Sequence, residues 1–164
     1  MKTNTTIEDI TSAGHDEEDA PKVLALCQHL DCTPDDLSKE RHDYYGLDVF
    51  SYGQSEYAIG TDEEADSAAY QNIHDNAWAF NASFILSECD LPRELEEAIQ
   101  AMQEKQCESA NDAIVAMIEK CSVFQDFVNA AVSADGRGHF LSSYDGEENE
   151  ETVDGTTFYI YRTN

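Results

Sequence analysis

The sequence predicts an α+β fold in which a mainly helical layer, of about five to six helices, packs on a small three-stranded antiparallel sheet. Three observations predict it. Apolar residues recur at helical spacing through most of the chain, two short alternating runs flank a turn between residues 48 and 60, and a β-branched and aromatic run lies at 156–162. A chain of 164 residues fits one domain with a core of its own. The expected organisation is a flexible acidic tail over 1–19 and a single α+β domain over 20–164.

The tail is polar, Thr-rich and ends in Asp16-Glu17-Glu18-Asp19. A first helix follows Pro21, with Val23, Leu26, Cys27 and Leu30 on one face. Thr33-Pro34-Asp35-Asp36 opens a short second helix, Thr as N-cap and Pro at the first helical position. Residues 48–52 and 57–60 read as a hairpin turning at Gly53-Gln54-Ser55-Glu56. Thr61 with Glu64 forms a capping box at the start of the longest helix, expected to run to about Glu88 with Ala65, Ala69, Ile73, Ala77, Phe80 and Phe84 as its buried stripe.

Three further helices are expected. Leu95, Ile99 and Met102 line the first. Ser109 with Asp112 caps the second, and Ser122 with Gln125 caps the third. Asp135-Gly136-Arg137-Gly138 ends the helical part, 144–155 reads as a long acidic loop, and the 156–162 strand is placed beside the hairpin.

Charge is the unusual feature. There are 35 acids against 9 bases, a formal net charge of −26. No Lys or Arg falls between Arg41 and Arg93, whereas Asp43, Asp48, Glu56, Asp62, Glu63, Glu64, Asp66, Asp75, Glu88 and Asp90 all do. Such a surface repels nucleic acid and anionic membranes and attracts cationic proteins. A compact chain of this length is roughly 40 Å across. Duplex DNA holds about 23 charges over that distance, at one charge per ~1.7 Å. Adaptation to high salt and plain solubility produce the same composition, so the arrangement of the acids decides between them.

Residues 1–20 lack the pattern of a secretory signal, and no stretch approaches the ~18 apolar residues of a membrane helix. Cys27, Cys32, Cys89, Cys107 and Cys121 are odd in number and read as reduced thiols, so a cytoplasmic location is expected.

Three segments are distinctive: 57–66 (YAIGTDEEAD), 78–82 (WAFNA) and 136–146 (GRGHFLSSYDG). They resemble a set of small acidic proteins encoded by bacteriophages and mobile elements, largely of unassigned function. The resemblance spans about residues 33–164 and brings no catalytic motif. It implies a bacterial host cell as the setting. In size and charge alone, the chain is similar to phage proteins that imitate DNA and block restriction enzymes or CRISPR effectors.

The expected partner-binding carboxylates are Asp62, Glu63, Glu64, Asp66 and Asp75 on one helix, and Glu94, Glu96 and Glu97 on another. Glu147, Glu148, Glu150 and Glu151 add a third group in the acidic loop. Carboxylates at helical spacing stand in for phosphates and meet Arg and Lys of a DNA- or RNA-binding protein. Near-absence of basic i,i+4 partners favours this over an ordinary solvated face. Direct binding of nucleic acid is not expected.

Competing uses of the same residues are weaker. The 145–151 loop offers oxygens for Ca²⁺ or Mg²⁺ but lacks the EF-hand order. Cys27, His29 and Cys32 do not have a standard zinc spacing. No cofactor or metal is expected. Arg137 and His139 lie in a glycine-flanked turn that reads either as an acid–base site of a small enzyme or as an arginine tied to nearby carboxylates. No G-x-S-x-G, H-E-x-x-H or P-loop pattern is present, so catalysis is not expected. The tyrosines at 44, 45, 52, 57, 144, 159 and 161 suit either an interface or a sheet. The expected function is inhibition or modulation of a basic host protein. The alternatives are a phage accessory protein unrelated to nucleic acid, and the small enzyme.

Overall fold

The computed structural model describes residues 5–164. The chain is α+β and divides into two compact units, one from residues up to Ala68 together with Arg137–Asn164, the other from Ala69–Gly136.

The first unit is built on a five-stranded, wholly antiparallel sheet. Its strands are β1 (Leu37–Lys39), β2 (Asp48–Tyr52), β3 (Ser55–Gly60), β4 (Asn149–Val153) and β5 (Thr156–Arg162), in the spatial order β1-β2-β3-β5-β4. The alternation of each strand divides its side chains between two faces. Phe50, Tyr57, Ile59, Phe158, Ile160 and Val153 share a core with Ile10, Val23 and Leu26 of helices α1 (Ile7–Ser12) and α2 (Ala20–Leu30). The opposite face carries Val49, Ala58 and Tyr161, neighbours across the ladders and all buried. On this side α8 (Arg137–Leu141) lies against β5.

Local chemistry explains most of these elements. Thr61 accepts from the Glu64 N–H at 3.4 Å while the Glu64 carboxylate accepts from the Thr61 N–H at 2.8 Å. That is the expected capping box, and it opens α3 (Asp62–Asp75). The hairpin of β2 and β3 forms as expected, though its turn contains only Gly53 and Gln54. Gly53 takes a positive φ of 62°, which a glycine adopts without strain.

The sheet is larger than the three strands expected. β4 emerges from the segment read as an acidic loop and pairs with β5 through a two-residue turn, Asp154-Gly155, both at positive φ. An Asp-Gly pair between β-branched residues is a strong hairpin signal, and it outweighs the run of glutamates before it. β1 replaces the end of the short helix expected after Thr33. The Thr33–Asp36 capping box does form, but it supports only one 3-10 turn before the chain extends.

Part of the segment expected as a tail is also structured. Residues 7–12 form α1, Ile10 is completely buried, and Asp19 is buried against Lys39 at 2.7 Å. The expectation for residues 1–4 lies outside the described residues.

The second unit is helical, with α4 (Ala82–Glu88), α5 (Glu96–Gln106), α6 (Asn111–Cys121) and α7 (Phe124–Asp135). Its buried residues include Ile85, Ile99, Ile114, Ile118 and Phe127. Phe80, Phe84 and Phe127 contact one another with ring centroids 5.1–5.7 Å apart. The single helix expected over 61–88 is broken: α3 ends at Asp75, a 3-10 turn spans Ala77–Ala79, and Phe80 and Asn81 are extended.

Side-chain amides from other helices compensate the break. The Asn111 amide accepts from the Trp78 N–H (3.0 Å) and donates to the His74 carbonyl (3.0 Å). Gln103 donates to the carbonyls of Trp78 and Phe80, at 2.7 Å each. These bonds satisfy backbone groups that a continuous helix would otherwise pair internally. The caps expected from Ser109 and Ser122 do not form. A 3-10 turn over Cys107–Ala110 runs straight into α6, and α7 begins after Val123 with no side-chain cap.

Candidate anionic interface

The expected carboxylates fall into both units. Asp62, Glu63, Glu64, Asp66, Glu147, Glu148, Glu150 and Glu151 belong to the first, and Asp75, Glu94, Glu96 and Glu97 to the second. Three of the first group, Asp62, Asp66 and Glu148, gather on Arg137, whose side chain is only 10% exposed. Its Nη1 donates to Asp62 Oδ1 and to Asp66 Oδ1, both at 2.8 Å, and its Nε donates to Glu148 Oε2 at 2.9 Å. The ring of Tyr159 supports the guanidinium, 4.4 Å from ring centroid to Cζ. Tyr161 donates its hydroxyl to Glu148 Oε2 at 2.6 Å.

The sequence dictates this geometry locally. Asp62 and Asp66 are one helical turn apart on α3, so they share a face. Tyr159 and Tyr161 alternate onto one face of β5. Gly138 lets α8 approach the 146–148 backbone: an added Cβ would lie 2.8 Å from Glu147 C and Glu148 N. Burial alone would favour the uncharged form of Arg137, but the hydrogen bonds of Glu148 and Asp62 outweigh it, so the guanidinium stays charged. Burial, with the hydrogen bond to Glu148, pushes the Tyr161 phenol up.

Asp62 and Asp66 keep two-thirds of their side-chain surface open, at 67% and 68%. One oxygen of each is therefore held by Arg137 while most of the side chain stays open to solvent. Asp62 and Glu63 also stand in the first turn of α3, where the helix dipole favours negative charge. Glu63, Glu147 and Glu150 are exposed, and Glu151, on the other face of the sheet from Arg137, is half-buried.

Glu64 has a different role from the one expected. Besides capping α3 it takes Lys22 at 3.1 Å, and Lys22 bonds Asp48 at 2.7 Å. Asp48 reaches Lys39 at 3.3 Å, and Lys39 holds the buried Asp19. Burial would raise the Asp48 pKa, but the hydrogen bond and charge of Lys22, followed by Lys39, hold it below the ordinary value. For Lys22, burial works against the charged form, yet Asp48 and Glu64 hold its pKa above normal.

In the second unit the acids are less organised. Glu96 meets Arg93 at 3.4 Å, with the arginine side chain 90% exposed, and Asp75 accepts from Gln71 at 2.7 Å. Glu94 and Glu97 are exposed.

Arg137 is tied to carboxylates, while His139 is exposed and meets the Phe140 ring edge-on at 4.9 Å. In the acidic loop, Asp145 accepts from Ser142 Oγ (2.6 Å) and the Glu147 N–H (3.0 Å). Among the described residues, no group of three or more His, Cys, Asp or Glu is placed to hold a metal ion. Burial, with Cys32 beside it, pushes the Cys27 thiol up to about 12, and burial beside Cys121 takes Cys89 to about 11. Cys107 and Cys121 are exposed. No described helix is long and apolar enough to cross a membrane.

Sequence reasoning missed Lys22, Lys39, Tyr159, Tyr161 and Gly138 as organisers of the acidic surface. The glycine pair around Arg137 was the one available signal, since Gly-x-Gly marks close backbone approach. No protein-family model, no curated protein and no solved structure matches the chain.

Proposed function

We propose that this protein binds a basic, nucleic-acid-binding protein of a bacterial host through its anionic surface, and so inhibits or modulates that protein as a DNA mimic. Antirestriction or anti-CRISPR action is the concrete form. The observation that carries this reading is the use of the scarce cations. Lys22, Lys39 and Arg137 serve internal ion pairs, and Arg137 holds Asp62, Asp66 and Glu148 at fixed positions with the aspartates open to solvent. A phosphate backbone likewise presents a protein with anions at set spacing. A diffuse solubilising coat needs no such fixation.

Capture of host nucleic-acid-binding proteins at two salt concentrations, followed by competition with duplex DNA, tests the reading. Binding is expected at low salt, to fall steeply as salt rises, and to be displaced by DNA. Failure to retain any basic protein at low salt, or a captured partner that duplex DNA leaves in place, overturns it.

A further inference from the structure

The two edges of the sheet are treated differently. β1 has three residues and carries Lys39, the kind of short, lysine-bearing edge that resists pairing. β4 has five residues, Asn149-Glu150-Glu151-Thr152-Val153, with neither lysine nor proline. Among the described residues, no hydrogen bond reaches its backbone from outside the ladder with β5. β4 is the last strand of the sheet order and α2 packs against it, so its outward N–H and C=O groups have no ladder partner.

We propose that β4 receives an extended, basic segment of the partner as a sixth strand, a mode of contact that rests on the acidic-surface reading above. The register specifies the ligand. Glu150 stands opposite Tyr159, on the sheet face where Arg137 lies, whereas Glu151 stands opposite Phe158, on the face of the α1–α2 core. The two glutamates therefore project to opposite faces. A sixth strand meets them with two consecutive residues, so the segment carries adjacent Lys or Arg rather than basics separated by one position. The exposed Glu147 adds negative charge just before the strand. A second copy of this chain is a poor occupant, since pairing β4 with itself brings glutamates against glutamates.

The probe is a short synthetic peptide with two adjacent lysines in a Thr/Val background, followed by fluorescence anisotropy and by amide chemical shifts of the full chain. Two control peptides keep the charge: one separates the lysines by a single residue, the other is N-methylated at alternate amides. Binding of the first peptide with shifts centred on residues 149–153 is expected. Separating the lysines weakens it about threefold, and N-methylation weakens it at least about tenfold, because strand pairing needs the amide donors. The double variant E150K/E151K loses about tenfold.

Equal binding of the N-methylated peptide, shifts centred elsewhere, or dimerisation of the protein through β4 each overturns the inference. If host basic proteins still bind the E150K/E151K variant normally, strand addition fails while the acidic-surface reading stands. If neither peptide nor host protein binds, both fail.

Discussion

Two acidic helix starts in this protein look alike in sequence and differ in structure. α3 opens with Asp62, Glu63, Glu64 and Asp66; the segment leading into α5 carries Glu94, Glu96 and Glu97. In the first, two aspartates answer to an arginine whose side chain is 10% exposed and which also binds Glu148 and rests on Tyr159. In the second, Glu96 answers to an arginine that is 90% exposed, at 3.4 Å. An exposed pair of that kind gains little, because water screens the charges and two flexible side chains must be ordered. A cation packed under several carboxylates holds them in place without covering them. Charge alone therefore does not define an interface; what separates a shaped anionic face from a solvated coat is whether something beneath fixes the anions.

Removing the fixing cation gives the largest expected contrast. Arg137→Met is expected to cost about 3 kcal/mol, the low end for breaking a buried pair, because Asp62 and Asp66 remain largely solvated. Arg93→Ala is expected to change stability by less than about 0.5 kcal/mol. Urea denaturation of both variants checks the difference, and equal losses would erase the distinction between the two regions. Gly138→Ala attacks the same clamp through the backbone. The new Cβ would stand 2.8 Å from backbone atoms of Glu147 and Glu148, so the loop carrying Glu148 must move. About 2 kcal/mol is expected from this overpacking, together with altered amide shifts in the loop around Glu148.

The legibility of the chain follows the same division. Elements governed by short-range chemistry were readable: the Thr61–Glu64 box, the first hairpin, and the strand at 156–162. Elements decided by tertiary partners were not. The break after Asp75 depends on Asn111 and Gln103, which lie far along the chain and replace lost helix bonds with amide contacts. β4 had its signal in Asp154-Gly155, but the glutamates ahead of it hid a strand at the end of the sheet order. Among the expected site residues, the i,i+4 spacing of Asp62 and Asp66 showed that they share a face. Nothing local showed that Glu148 joins them, or that Glu64 turns to Lys22.

The Lys22–Asp48–Lys39 chain sharpens the comparison through pH. Asp48→Asn is expected to cost about 1 kcal/mol at neutral pH, since Lys22 and Lys39 each keep another carboxylate. The Asp48 pKa is lowered in the fold, so its contribution is present above the unfolded value near 3.8 and is lost as pH falls through the folded value. The two proteins should therefore converge in urea midpoint once the pH has fallen below the folded value of Asp48. The Lys22 pKa is raised, so its share persists below the unfolded value of 10.5 and is lost as pH rises through the folded one. A constant gap between Asp48→Asn and the parent down to the lowest pH would show that the carboxylate acts through packing instead of charge.

The smallest expected effect concerns sign. Glu104 lies in the last turn of α5, where the helix dipole disfavours negative charge, and it is exposed. Glu104→Lys is expected to stabilise by about 0.3 kcal/mol, because it relieves both the dipole and the repulsion of a chain carrying −26. The same exchange at Asp62 reverses a favourable dipole contact and sets a lysine beside Arg137, so it destabilises by about 1 kcal/mol or more despite lowering the net charge equally. Thermal midpoints of the two variants at low salt, with equal change in total charge, separate long-range repulsion from local fixation. If both move in the same direction, the net charge governs and the clamp does not. Opposite directions mean that the acids of α3 occupy positions the fold requires to be negative, while the acid at the end of α5 is replaceable.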